Sequence, residues 1–246
     1  MKTKSNIGIR LLIIIVTISI LFIGCKKEND LVIAPITFNP LITYGSMADQ
    51  DGNTYKTVTI GTQIWMAENL KTTIYRNGDP IQNVPDSAQW RGLITGAYCY
   101  YDNDKQYVTA YGCLYNWYAV NDSRNLAPSG WHVPTDTDWS TLNNFLGGED
   151  AAGKKLKEAG TTHWGVDFGS INESGFTALP SGRRSYYSSG GILMPTHYSD
   201  LGLYGFWWTS TESTSINSWN YWISTTVSTK GASPKNYGLS VRCVKD

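Results

Sequence analysis

Pro134-Thr135-Asp136-Thr137-Asp138-Trp139-Ser140-Thr141-Leu142-Asn143-Asn144-Phe145-Leu146-Gly147-Gly148 holds the clearest helix signal in the chain. Thr135 with Asp138 three residues on makes a reciprocal N-terminal cap. Trp139, Leu142, Phe145 and Leu146 recur on one helical face, and Gly147-Gly148 ends the run. A second, shorter helix spans roughly Ala151 to Ala159, with Ala152, Leu156 and Ala159 on one side and Gly160 as its stop. Upstream, Val58 and Ile60 alternate with polar residues, Gly61-Thr62 suits a two-residue turn with glycine first, and Ile64-Trp65-Met66 supplies the return strand of a hairpin. Asn77-Gly78-Asp79-Pro80 signals a loop, and Tyr98-Cys99-Tyr100-Tyr101 reads as a strand running into Asp102-Asn103-Asp104. Downstream, strand-like pieces fall at Phe176–Leu179, Phe206–Thr209, Ser218–Ile223 and Tyr237–Val244. Strands, a helical middle and more strands argue for an α+β fold.

The first 25 residues address location. Lys2, Lys4 and Arg10 precede an apolar stretch from Leu11 to Gly24, which fits a secretory signal and is short for a membrane span. Leu21-Phe22-Ile23-Gly24-Cys25 resembles a bacterial lipobox, in which cleavage precedes the cysteine and that residue carries acyl chains such as palmitate. Several such chains hold a protein durably on a membrane. Residues 1–24 are therefore expected to be a lipoprotein signal peptide, 25–48 a tether containing Pro35 and Pro40, and 49–246 the folded domain. Cleavage removes three cations and no acid, so 20 Lys+Arg fall to 17 against 20 Asp+Glu, a charge of −3. With no basic block beyond Lys26-Lys27 and Lys154-Lys155, nucleic acid is excluded as a partner. Cys99, Cys113 and Cys243 remain in a compartment where disulfides persist, so one bridge and one spare thiol is the simplest expectation, with the pairing open.

Several motifs follow one another in order: Asp51-Gly52-Asn53-Thr54-Tyr55, Trp65-Met66-Ala67-Glu68-Asn69-Leu70, Leu114-Tyr115-Asn116-Trp117-Tyr118-Ala119 and Gly130-Trp131-His132-Val133-Pro134-Thr135. Gly175-Phe176 to Leu179-Pro180, Phe206-Trp207-Trp208-Thr209-Ser210-Thr211-Glu212 and Ser240-Val241-Arg242-Cys243-Val244 complete the set. Over Asp49 to Asp246 the chain resembles the Fibrobacter succinogenes major paralogous domain, found in surface lipoproteins of Bacteroidota-type bacteria. That family in turn resembles the C-type-lectin-like fold shared with the formylglycine-generating enzyme group. The link rests on Pro134-Thr135 to Trp139 and on Arg242-Cys243. The resemblance implies a single C-type-lectin-like domain of short twisted antiparallel sheets and two helices.

Fold does not transmit activity. The oxidases of that group hold copper with a close cysteine pair near the C-terminus, whereas only Cys243 follows Cys113 here. Calcium lectins use a Trp-Asn-Asp strand, and Trp219-Asn220-Tyr221 lacks the acid. Asp49-Gln50-Asp51-Gly52-Asn53 has its glycine two places too early for a calcium loop and reads as a tight turn. His132, His163 and His197 are scattered, so no metal or other cofactor is expected. Glu68, Asp138 and Glu212 are read as structural carboxylates partnered by backbone or by an arginine such as Arg183 or Arg242. Trp65, Trp117, Trp131, Trp139, Trp207 and Trp208 are read as core, because burying one aromatic is worth roughly 4–6 kcal/mol gross. Trp219 and Trp222 are read as exposed.

The sequence thus points to a non-catalytic, lipid-anchored envelope protein, on the outer membrane and facing either the periplasm or the exterior. A glycan or surface protein is expected on loops around Arg183–Tyr198 and Ser213–Trp222, with Arg183, Glu212, Trp219, Asn220 and Trp222 as the candidate contacts. The alternatives are a distant relative of the formylglycine-generating oxidases and a passive envelope component.

Overall fold

The computed structural model describes residues 33–166, 169–189, 192–224 and 226–246. The signal segment, Cys25 and the first part of the expected tether lie outside these residues. The expected hairpin is present: β2 (Thr54–Ile60) and β3 (Gln63–Met66) pair in antiparallel register from Thr57↔Met66 to Ile60↔Gln63. Gly61 turns at φ 60°, where a side chain would be strained and would also meet the Phe145 ring. Tyr55, Val58 and Ile60 are buried in β2 while Lys56 and Thr59 face water. The turn before it forms too, because the Asp49 carboxylate accepts the Asp51 and Asn53 amides.

The folded body starts earlier than Asp49. β1 (Gly45–Ala48) pairs with β2, and Phe38, Ile42 and Tyr44 pack on the core. The C-terminal β15 (Val244–Lys245) inserts between β3 and β7 (Trp131–His132), giving a sheet in the order β1-β2-β3-β15-β7. A second sheet joins β4 (Gln82–Asn83), β5 (Ala97–Cys99) and β6 (Leu114–Tyr115). The third, in the order β11-β8-β12-β13-β14, consists of β8 (Ser181–Ser185), β11 (His197–Leu201), β12 (Gly205–Glu212), β13 (Asn217–Ile223) and β14 (Ser228–Pro234). Pairing is antiparallel apart from β4–β5 and β8–β12. A two-stranded ribbon, β9 (Ser188–Ser189) with β10 (Ile192–Leu193), lies between β8 and β11 in chain order.

Single-turn helices α1 (Ser87–Arg91), α2 (Val108–Tyr111) and α3 (Trp117–Val120) sit in connections. The two longer helices are α4 (Asp136–Phe145) and α5 (Glu149–Leu156). The capping box of α4 forms as its sequence requires: Asp138 N donates to Thr135 Oγ1 at 3.2 Å, and Thr135 N donates to Asp138 Oδ2 at 2.8 Å. The burial stripe differs at one place. Phe145 is exposed beside the hairpin turn, and Asn143 is buried instead, bonded to the Ser228 carbonyl and hydroxyl. Helix α5 ends at Leu156, because Lys157 is extended and bridges Ala178. That bridge is what becomes of the strand expected at Phe176–Leu179. Tyr237–Val244 likewise forms isolated bridges, Gly238 to Arg184, Leu239 to Tyr115 and Ser240 to Trp207, before β15.

The third sheet divides the core. Side chains alternate across a strand, so Phe206 and Trp208 of β12 join one apolar cluster while Trp207 joins the other, with Tyr221, Ile223 and Trp139. Trp139 lies flat on Tyr221, centroids 5.0 Å apart and 9° between planes. All six tryptophans read as core are buried.

The expected disulfide is absent: Cys99, Cys113 and Cys243 are free, buried thiols. Cys99 pairs with Leu114 in the β5–β6 register, so the neighbouring Cys113 points to the opposite face and into a different cluster. Cys113 donates to the Lys71 carbonyl, and Cys243 packs against Met66.

Candidate functional site

The two regions expected to be loops run into strands of the third sheet: the first begins in β8 and ends in β11, and most of the second is β13. The side chains of residues 188–193 lie outside what is described. Where β8, β11, β12, β13 and β14 run side by side, a groove of about 400 Å³ opens on the face away from α4. Arg183, Asp200, Tyr204, Phe206, Asn220, Trp222 and Ser233 line it, and Gly231 forms part of its wall. Three of the five candidate contacts, Arg183, Asn220 and Trp222, therefore meet in one place.

The period of the strand explains both the meeting and the exceptions. Asn220 and Trp222 are two apart on β13 and share a face, opposite Trp208 and Phe206 of β12. Trp219 is out of phase. It points to the α4 side, where the Lys230 ammonium sits 3.9 Å from its ring centroid and pairs with Asp136. Trp219 and Trp222 are half-buried rather than exposed. Glu212 lies at the far end of β12, bonded to Lys235, whose ammonium also covers the Trp117 ring.

Within the groove, Tyr204 stacks on Phe206 with centroids 5.9 Å apart and 25° between planes, and meets Trp222 edge to face. The Arg183 guanidinium lies 4.6 Å from the Phe206 centroid, and its Nε is 2.8 Å from Asp200 Oδ2. The β8–β11 pairing matches Ser199 with Arg183 and Leu201 with Ser181, so Gly182 faces Asp200; both have positive φ, at 61° and 69°. A Cβ at residue 182 would strike the Ser199 carbonyl, so only glycine permits the local twist that turns Asp200 toward Arg183. Asn220 donates through Nδ2 to Ser233 Oγ at 2.9 Å, and its Oδ1 faces the space over Gly231.

The sequence reading missed Asp200, Tyr204, Phe206 and Ser233. Their available signal was the alternation Tyr204, Phe206, Trp208, which predicts one face of a strand, and the small-residue run Gly231-Ala232-Ser233 on its neighbour.

Of the two kinds of partner expected for the other carboxylates, Glu68 and Asp138 have the backbone kind, and the side chains they meet are not arginines. Glu68 accepts the Lys56 amide and pairs with Lys71. Burial alone would raise the Asp138 carboxyl, but the bonds from Thr135 and His132 outweigh it and hold the group below its ordinary range. Arg242 meets backbone carbonyls instead of an acid. Among the described residues no three His, Cys, Asp or Glu side chains gather into a metal-binding group.

The architecture belongs to the α+β class, with short curled sheets and few helices. Within that class the chain belongs to the Fibrobacter succinogenes major domain family, whose family model matches residues 58–245. No curated protein and no solved structure gives a significant match to it.

Proposed function

We propose that this chain is a lipid-anchored cell-envelope protein whose folded body binds an external ligand, a glycan or a surface protein, in the groove of the third sheet, without turnover. The observation that carries this reading is the convergence of Arg183, Asn220 and Trp222 over an aromatic floor. Few, well-placed polar groups on an apolar concavity are the usual make-up of a ligand site, and the volume falls in the range of roughly 300–1,000 Å³ typical of such sites. The only charged side chains in the lining, Arg183 and Asp200, are paired with each other, which suits recognition better than proton transfer. We read the architecture as C-type-lectin-like, a reading supported by the C-terminal strand closing against the N-terminal hairpin and by a long inserted region that carries the aromatic sheet. The lipid anchor rests on the Leu21–Cys25 motif.

Two measurements test the proposal. Cells fed a clickable palmitate analogue should label the wild-type chain and not Cys25→Ser; labelling of both, or of neither, removes the anchor. Intact cells carrying the wild-type chain should retain glycans or surface proteins that cells carrying Gly231→Val do not. Identical retention removes the groove as the binding site.

A further inference from the structure

We infer that the groove takes an uncharged saccharide, with a pyranose ring lying on Trp222 and its hydroxyls read by Asn220 and Arg183. This rests on the reading of the groove as a ligand site and goes on to assign the ligand chemistry. Size is the first argument. A space of about 400 Å³ accommodates one or two sugar rings, whereas a stable protein interface covers roughly 800 Å² on each partner.

Charge is the second. Arg183 is the one cation in the lining, and Asp200 holds its Nε at 2.8 Å, so the groove has no net charge to spend on an anion. Its side chain is one-third exposed and its guanidinium is held 4.6 Å from the Phe206 centroid, so its planar fork of N–H donors lies beside the groove for neighbouring hydroxyls. Shape is the third. Trp222 meets Tyr204 edge to face, and Gly231 stands where any side chain would come within 3.2–3.4 Å of the indole and of Asn220 Oδ1. The missing Cβ leaves the space over Gly231 open toward the indole and toward the amide oxygen of the otherwise buried Asn220. An aromatic face is electron-rich and attracts the polarised C–H face of a pyranose, while Asn220 Oδ1 accepts from a hydroxyl.

The full chain, purified in a detergent without a sugar headgroup, is titrated with cellohexaose, xylohexaose, mannohexaose and an oligogalacturonate of equal length. Calorimetry and tryptophan fluorescence read the binding. At least one neutral oligosaccharide should bind and the oligogalacturonate should bind at least tenfold more weakly. Trp222→Ala and Gly231→Val should each weaken the neutral sugar at least tenfold. Valine at position 231 suits a strand and needs no positive φ, so this variant separates blockage from misfolding. Asp200→Asn uncovers the Arg183 charge and should raise oligogalacturonate affinity. Preferential binding of oligogalacturonate by the wild-type chain, lost in Gly231→Val, overturns the neutral assignment while leaving a working groove. Binding of none of the four overturns the saccharide assignment, and cell-surface retention then decides separately whether the groove binds anything.

Discussion

Arg242 and Asn69 form the polar centre of the fold, and both are almost wholly buried. Asn69 uses all its capacity. It donates to the Tyr111 carbonyl and Ser240 Oγ, and accepts from Trp207 Nε1 and Arg242 Nε. Arg242 continues to the carbonyls of Phe176 and Thr177 and lies 4.3 Å from the Phe176 centroid. Burial pushes its guanidinium down to about 9. Thr177 is a β-branched residue at φ 56°, a strained position held by paired bonds with Asn172. Arg242→Met keeps the volume but strands two buried carbonyls, each costing about 1–3 kcal/mol. With roughly 2–4 °C lost per kcal/mol in a domain of this size, the melting temperature should drop by about 4 °C or more. An unchanged midpoint would mean that water or a neighbour replaces the guanidinium. Asn69 was visible in the sequence only as a letter inside a motif and Arg242 only as a candidate partner for a carboxylate, because their partners lie up to 173 positions away.

The segments differ in how much of their structure is local. The β2–β3 hairpin and the α4 cap were legible because turn glycine, alternation and capping pair lie within a few residues of one another. Two strands of the third sheet were legible, Phe206–Thr209 within β12 and Ser218–Ile223 within β13, but the sheet's assembly was not, since β8 meets β12 across the ribbon and β11, and its groove depends on the phase of five strands at once. Least legible was residues 33–48, whose prolines suggested a tether. They are strapped to the body: Thr37 N donates to Glu158 Oε1 at 2.6 Å, while His163 bridges Glu158 Oε2 at 2.6 Å and the Ala34 carbonyl at 3.0 Å. Both imidazole nitrogens face acceptors, which calls for the protonated ring. Burial opposes that charge, but Glu158 outweighs it and the His163 pKa is raised above 6.5. A raised folded-state pKa gives stability that is complete below about 6.5 and is lost as pH climbs through the folded value. Hydrogen exchange at Thr37, corrected for intrinsic rate, should therefore show greater protection at pH 6 than at pH 9, and His163→Gln should remove the difference. Equal protection at both pH values would show that Glu158 alone holds the strap. A chain beginning at Asp49 lacks the strap and β1, and should melt lower than one beginning at Ile33; equal midpoints would restore the tether reading.

Over residues 33–246 the folded body is closed by its C-terminal strand, with β15 clasped between β3 and β7 and the two larger apolar clusters meeting across the third sheet. Such closure predicts cooperative opening, and the three thiols report on it. Cys99 belongs to the cluster around Trp90 and Leu114, whereas Cys113 and Cys243 belong to the cluster around Tyr115 and Trp208. Burial raises all three thiols, Cys113 to about 12, so none offers a reactive thiolate at neutral pH. Native protein should resist maleimide, and denatured protein should take three labels with or without prior reductant once Cys25 is replaced by serine. A reductant-dependent gain of two labels would reveal a disulfide and sink this packing. In intermediate denaturant the three thiols should label with one common dependence on denaturant concentration, because exposing either cluster requires separating β15 or the third sheet from its neighbours. Earlier labelling of Cys99 alone would instead mark the β4–β5–β6 region as an independently opening unit.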